Sequence, residues 1–181
     1  MVKEPHPGRV KTRLGREIGV VRAAWWYRHQ TRRLLRRLRD PRWQTVLAVT
    51  PDVEGFRSRA WPADLPRVPQ GTGNLGQRMT RALSATPGPT LLIGSDIPGI
   101  RRRHIVAGFS ALGRARTVIG PSCDGGFWLI GLHHPQRPPK DLFRGTRWSH
   151  QGTLADALHT LPRPIAMVDT LADVDTASDL R

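Results

Sequence analysis

The chain of 181 residues contains little cysteine, little lysine and no long apolar run. Its single cysteine, Cys123, rules out an intrachain disulfide and fits a reducing compartment, so we expect a cytoplasmic protein. No apolar run approaches the roughly 18 residues of a membrane-spanning helix, which predicts a protein without a membrane span. The hydrophobic content of 38% still suffices for a packed core, and the length predicts one domain over residues 1–181.

Acidic residues are also scarce, with 14 aspartates and glutamates against 29 lysines and arginines, and the formal net charge is +15. Only three of these cations are lysines, so arginine supplies nearly all of the positive charge. The planar guanidinium group binds oxyanions in a bidentate manner. The positive charge therefore favours an anionic partner, which could be a nucleotide, another anionic substrate, nucleic acid or membrane headgroups. The charge alone does not distinguish these partners.

Short apolar runs alternate with amphipathic segments along most of the chain. This alternation is typical of α/β proteins and predicts a mostly parallel sheet covered by helices on both faces. The predicted strands are 44–50, 90–96, 116–119, 127–132 and 165–168, and the predicted helices are 20–40, about 75–85, 102–112 and 149–161. Residues 3–14 and 52–69 are expected to be irregular, and 173–180 to form a turn or a helix.

Asp96 ends one of the apolar runs and is followed closely by Pro98, which stops the strand. An acid at the carboxyl end of a parallel strand lies at the edge where open α/β sheets bind ligands. Carboxylate oxygens there are suitable ligands for a divalent metal on a nucleotide diphosphate. The alternative is that Asp96 only caps the turn after the strand.

Three further acids are candidates for the same edge. Asp124 precedes two glycines, although Asp-Gly is also a strong signal for a β-hairpin turn. Asp173 and Asp175 point the same way in an extended segment and could reach one cation. Alternatively, Asp175 or Thr176 is the N-cap of a terminal helix.

Two loops are candidates for nucleotide binding. In the first, Gly8, Lys11 and Arg13 precede a predicted helix and could surround a polyphosphate, or could form a solvated basic terminus. In the second, residues 70–76, three glycines allow close approach of a base or ribose, whose edges Gln70 and Asn74 could hydrogen-bond. The alternative for this second loop is an ordinary helix start.

Taken in order, these motifs resemble one family over almost the whole chain. The segments that carry the resemblance are 3–14, 70–79, 94–98, 120–132, 148–149 and 173–176. They are similar to bacterial nucleotide-diphospho-sugar transferase-like proteins, the radical-SAM/selenodomain-associated glycosyltransferases of the GT-A or SpsA-like superfamily. The phospholactate and molybdenum-cofactor guanylyltransferases are more distantly similar.

The resemblance implies a GT-A (Rossmann-like) three-layer α/β/α domain that binds a nucleotide with Mg²⁺ or Mn²⁺. It implies metal ligation by Asp96, Asp124 and Asp175, and catalytic roles for Asp96, Lys11 and Arg13. The predicted nucleotide-binding residues are Gly8, Lys11, Arg13, Gln70, Gly71, Asn74, Gly76 and Ser95.

Two features depart from the family pattern. Only two residues precede Lys3, which predicts a truncated first strand and raises the possibility of impaired activity, and Asn74 replaces an aspartate.

The leading hypothesis is sugar transfer from a nucleotide-diphosphate sugar to a small-molecule acceptor. The alternative is nucleotidyl transfer from a nucleoside triphosphate to a phosphorylated acceptor, with release of pyrophosphate. Both use the same fold, so the sequence does not separate them. A third hypothesis, an arginine-rich nucleic-acid-binding protein, ranks low because acids at the strand edge would repel a phosphate backbone.

Overall fold

A computed structural model describes residues 1–180 and contains two β-sheets flanked by helices. The strands are β1 (Val2–Lys3), β2 (Leu47–Thr50), β3 (Arg67–Pro69), β4 (Thr90–Ile93), β5 (Thr117–Pro121), β6 (Phe127–Leu132) and β7 (Ile165–Met167). The helices are α1 (Thr12–Ile18), α2 (Val20–Arg37), α3 (Asp52–Arg57), α4 (Leu75–Ser84), α5 (Arg102–Leu112) and α6 (Thr153–Leu158), and a 3-10 turn spans Ala177–Asp179. Within residues 1–180, no helix has both the length and the apolarity needed to cross a membrane.

The first sheet has the order β1-β2-β3 and is entirely parallel. The second has the order β4-β6-β5-β7, in which β5 and β7 are parallel and β6 is antiparallel to both of its neighbours. The two sheets meet where the Met1 amino group donates a hydrogen bond to the Ile93 carbonyl at 2.7 Å. This arrangement confirms the predicted α/β fold class. The strand before Asp96, however, was expected to be parallel and instead pairs antiparallel with β6.

Helix α2 shows why the sequence folds in this way. Its small and apolar residues recur at helical spacing and are buried, whereas most of its arginines face outward. The amino-terminal half packs on β1 and β2 through Ala24 and Tyr27, and the carboxyl-terminal half packs on α5 through Leu34 and Leu38. One helix therefore contributes to the apolar clusters of both sheets.

Several element boundaries differ from the sequence predictions. Helix α1 begins at Thr12, inside the segment expected to be a loop, and residues 52–69 contain α3 and β3 instead of irregular chain. Helix α6 begins at Thr153, because Ser149 adopts a positive φ of 55° and does not act as the N-cap. These elements have three to seven residues, which is too short for a reliable apolar period.

The side chain of Gln70 joins the first sheet to α4. Its amide nitrogen donates to the carbonyls of Val2 and Ala48 at 3.0 and 2.7 Å, and its amide oxygen accepts from the Arg78 guanidinium. Gln70 is 2% exposed, so water cannot replace these bonds. We expect Gln70→Met to lower the free energy of unfolding by about 1–3 kcal/mol. Urea denaturation should show it, with the exposed Gln136→Met as control, and equal midpoints for the two variants would contradict this role.

Candidate functional site

The carboxyl ends of four strands bring the predicted site residues together at one edge. The loop after β1 carries Lys11, and the first turn of α1 carries Arg13. The loop after β4 carries Asp96, the turn between β5 and β6 carries Asp124, and the segment after β7 carries Asp175. Residues from four separate parts of the sequence thus meet at the edge where open α/β sheets bind ligands.

Lys11 is at the centre of this edge. Its ammonium nitrogen lies 2.6 Å from Asp96 Oδ2 and 3.0 Å from Asp175 Oδ1, and its side chain is only 6% exposed. Burial lowers the pKa of Lys11, but Asp96 and Asp175 outweigh that effect, so the pKa is raised and the group stays charged. Lys11 also takes a left-handed backbone conformation as the N-cap of α1, which turns the chain from the loop into the helix.

Arg13 lies on the outer side of the same cluster. Its guanidinium donates to Asp175 Oδ2 at 3.0 Å and is mostly exposed. Burial raises the pKa of Asp124, but hydrogen bonds from Ser122 and Gly126 and the nearby charge of Arg13 outweigh burial, and the pKa is lowered. Asp124 is therefore ionised and lies within electrostatic reach of Arg13.

Asp173 has an unfavourable position among the other acids. Burial, followed by repulsion from Asp175 and Asp124, raises its pKa, and Lys11 only partly compensates. Negative charge thus exceeds what Lys11 and Arg13 neutralise locally, even though the whole chain is strongly basic. A region of this kind attracts a further cation.

We expect Asp173→Asn to stabilise the metal-free protein at neutral pH. Because the folded-state pKa is raised above the ordinary value of 3.8, the penalty for ionised Asp173 appears as pH rises through that raised pKa. Below pH 3.8 the residue is protonated in both states, so the two proteins should become equally stable there. Thermal melts in EDTA across this pH range measure the difference. A variant that is less stable than the parent at neutral pH would contradict the assignment.

The Asp124 segment forms the hairpin that its Asp-Gly pair suggested. Strands β5 and β6 are antiparallel neighbours, and Gly125 in the connection has a φ of +85°. Asp124 Oδ1 accepts from the Gly126 amide at 3.0 Å and from the Ser122 hydroxyl. These bonds fix one carboxylate oxygen in the turn, and at the same time the hairpin brings Asp124 to the acidic edge.

The terminal segment contains an N-cap, as the alternative prediction for Asp175 or Thr176 expected. Thr176 is the N-cap of the 3-10 turn, and Asp179 accepts from the amides of Asp175 and Thr176. Glu17 of α1 accepts from the Ala177 amide at 2.7 Å and ties the turn to the loop that carries Lys11. Because Asp179 and Thr176 do the capping, the Asp175 carboxylate is left for Lys11 and Arg13.

In the second loop, the structure gives the predicted nucleotide-binding residues roles within the protein. Asn74 is the N-cap of α4 and forms a reciprocal capping box with Gln77. Gly71 has a φ of +69° and donates its amide to Asp52 at 3.1 Å. A side chain at Gly76 would come within 2.9 Å of Trp148, so packing alone requires glycine there. Nucleotide contact by these residues, by Gln70 and by the exposed Gly8 stays a prediction.

Sequence reasoning missed Tyr27 as a support of the site. Its buried hydroxyl is 2.9 Å from the Ser95 hydroxyl and accepts from the Lys3 amide at 3.0 Å. Tyr27 thereby holds the residue before Asp96 against the end of β1. The one feature of the sequence that could have pointed to this role is that Tyr27 is the single tyrosine of the chain.

The donors at this edge fit a hard divalent cation. They are carboxylate oxygens, which Mg²⁺ and Mn²⁺ prefer. Burial first, and then repulsion from Asp175 and Asp124, raises the pKa of Asp173. Across residues 1–180, no three histidine, cysteine, aspartate or glutamate side chains are grouped as a ready-made metal site. A cation here would consequently need ligands from a bound phosphate as well as from the protein.

Comparisons with known proteins identify the family. Residues 34–150 match the model of DUF2064, described as an uncharacterized protein conserved in bacteria. A crystal structure from Desulfovibrio desulfuricans G20, provisionally assigned as a nucleotide-diphospho-sugar transferase, superposes with a TM-score of 0.86 at 30% identity, over 99% of this chain and 81% of that one. Rv0371c from Mycobacterium tuberculosis H37Rv is similar at 18% identity with a TM-score of 0.48, over 86% of this chain and 81% of that one.

A comparison with curated proteins gave no match. The family match and the Desulfovibrio structure confirm the resemblance to nucleotide-diphospho-sugar transferase-like proteins that the motifs indicated. The chain belongs to the DUF2064 family of bacterial proteins.

Proposed function

We propose that this protein transfers a sugar from a nucleotide-diphosphate sugar to a small-molecule acceptor, with a divalent metal at the acidic edge. The observation that carries the proposal is the buried Lys11 ammonium held between Asp96 and Asp175, with Arg13 beside it. The cations of this site are complementary to a diphosphate, and its carboxylates are complementary to the metal ion that a diphosphate carries. The similarity to the Desulfovibrio protein supports the same class of donor.

Lys11 and Arg13 would bind the diphosphate oxygens. Both now donate to Asp175, so an arriving diphosphate would exchange one anionic partner for another without leaving a cation unpaired. Carboxylates of Asp96, Asp124 and Asp175, together with diphosphate oxygens, would hold Mg²⁺ or Mn²⁺, which when bound neutralises charge that develops on the leaving diphosphate. Lys11 adds to that stabilisation, because its position is fixed before the substrate arrives.

The rest of the edge would orient the nucleotide. Ser95 is buried, and the hydrogen bond between its hydroxyl and the Tyr27 hydroxyl at 2.9 Å holds the chain next to Asp96 in place. Residues 70–76 are held by Asp52 and Arg81, and their glycines let a base or ribose approach the backbone. Gly8 lies in open space with a φ of +75°, so the loop before Lys11 has room for a phosphate.

Product analysis separates this proposal from nucleotidyl transfer, since the same edge could serve both reactions. The wild-type protein would be incubated with Mn²⁺ or Mg²⁺, a panel of nucleotide-diphosphate sugars or of nucleoside triphosphates, and pooled small-molecule acceptors. Phosphorus-31 NMR then identifies the phosphate product. Release of a nucleoside diphosphate from a sugar donor supports the proposal, and pyrophosphate from a triphosphate would replace it with nucleotidyl transfer.

A further inference from the structure

The outward face of α2 has an unusual concentration of unpaired positive charge. The helix contains no acidic residue, and its exposed arginines are Arg22, Arg28, Arg32, Arg33 and Arg36. In residues 1–180 the ion pairs of arginine involve other positions, namely Arg13, Arg39, Arg42, Arg144 and Arg147. Five cations on one helix therefore face solvent without a carboxylate partner.

Apolar side chains are exposed at the start of the same helix and on α3. Val20, Val21 and Trp25 of α2 are 46%, 67% and 63% exposed, and Val53 and Phe56 of α3 are 68% and 46% exposed. These are five of the eight large hydrophobic residues that the protein exposes. Their concentration on two helices, α2 and α3, favours an interaction surface, whereas single scattered exposed residues need no explanation.

Two adjoining grooves connect the helices. A groove of about 370 Å³ is lined by Val21, Trp25 and Arg28, and one of about 720 Å³ is lined by Val53 and Arg57. Both grooves include Glu4, Pro7 and Arg59, so they form one continuous surface. The acids on this surface are Glu4 and Glu54, and Glu54 is already 2.7 Å from the His6 ring nitrogen. The surface is therefore net positive, and arginine supplies the positive charge.

We propose that this surface docks on an anionic lipid membrane, with Val21 and Trp25 inserted among the headgroups and the α2 arginines on the lipid phosphates. Tryptophan with aliphatic neighbours favours the interface between water and acyl chains, and basic residues near an anionic leaflet each add attraction. The charge of the surface is complementary to anionic headgroups, and its apolar side chains leave water on insertion.

The apolar residues favour a lipid surface over nucleic acid. Valine side chains gain little from a phosphate backbone, whereas they gain from transfer into an interface. One face of the Trp25 indole is already covered by the His29 ring, at a centroid distance of 3.9 Å, which leaves a single face for a base. Helix α3 begins directly after β2, at the carboxyl edge of the first sheet, and Glu4 and Pro7 of the grooves follow β1 at the same edge. Docking would therefore bring that edge near the headgroups.

The test is co-sedimentation of the full chain with vesicles of phosphatidylglycerol and phosphatidylcholine, beside vesicles of phosphatidylcholine alone. We expect binding only to the anionic vesicles, with loss under high salt. Arg28→Gln with Arg32→Gln should weaken binding about fivefold for each arginine removed. Its charge-matched control is Arg137→Gln with Arg163→Gln, two exposed arginines in other parts of the fold.

The apolar contribution needs its own pair of variants. Val21→Ser with Trp25→Ser should weaken vesicle binding by about tenfold or more, and Met167→Ser with Leu180→Ser, at two other exposed sites, should not. A blue shift of tryptophan emission on vesicles should disappear in the first pair only. No binding of wild type to anionic vesicles, equal binding by test and control pairs, or preference for duplex DNA over vesicles would each overturn the proposal.

Discussion

Asp96→Asn is expected to abolish metal-dependent nucleotide binding and to leave the fold intact. The substitution keeps the size and shape of the side chain but removes the charge and one oxygen that a hard cation requires. The asparagine oxygen can still accept from Lys11, which lies 2.6 Å from Asp96 Oδ2 in the wild type, and Lys11 keeps Asp175 as a charged partner. If Asp96 were only a turn cap, asparagine would replace it well, since both residues cap about equally.

Calorimetric titration of nucleoside diphosphates with Mg²⁺ or Mn²⁺ measures this effect, and a melting curve checks the fold. Asp64→Asn is a suitable control, because Asp64 forms an exposed ion pair with Arg39 in a different part of the protein. The control should bind as wild type does. Normal metal-dependent binding by Asp96→Asn would make Asp96 a structural residue.

Lys11→Met and Arg13→Gln are each expected to weaken nucleotide binding about tenfold to a hundredfold. A charge-assisted hydrogen bond to phosphate contributes roughly 1.5–3 kcal/mol, and each substitution removes one such donor group. The two variants should differ in stability. Lys11 is buried between Asp96 and Asp175, so its loss leaves Asp96 without its cation partner and Asp175 with Arg13 alone. Arg13, by contrast, is 64% exposed, and its ion pair contributes little.

The stability cost of Lys11→Met should lie below the roughly 3–5 kcal/mol found when fully buried pairs are broken, because Asp96 and Asp175 are about one third exposed. Chemical denaturation and calorimetry on the same samples separate stability from affinity. If Arg13→Gln binds nucleotide like wild type, and Lys11→Met loses stability but not affinity, the loop is a structural element and not a phosphate site.

The sequence predicted the fold best where apolar patterning was long. The strand over residues 127–132 and the helix over residues 102–112 have the expected bounds, because β6 is central in its sheet and α5 has one apolar face. The antiparallel pairing of β4 was not predictable from its own residues, because it depends on β6 lying beside β4. The direction of β6 is set by the hairpin at Asp124, which the sequence analysis gave only as an alternative.

The candidate site was predictable in its residues but not in their contacts. Strand-end position made Asp96 a candidate, the two glycines after Asp124 made that residue one, and a short basic loop made Lys11 one. Burial of Lys11 between two acids was not predictable, because a lysine in a Pro/Gly loop ordinarily faces water. Gln70 shows the opposite case: a polar residue in a glycine loop was expected at a ligand, yet it is buried against Val2 and Ala48.

The most direct test of the central claim is a crystal structure of the wild-type protein with Mn²⁺ and a nucleoside diphosphate, with the metal located by anomalous scattering. The claim predicts a manganese peak in direct contact with an Asp96 oxygen, and diphosphate oxygens within hydrogen-bond distance of Lys11 and Arg13. A nucleotide bound away from this edge, or manganese bound without Asp96, would contradict it.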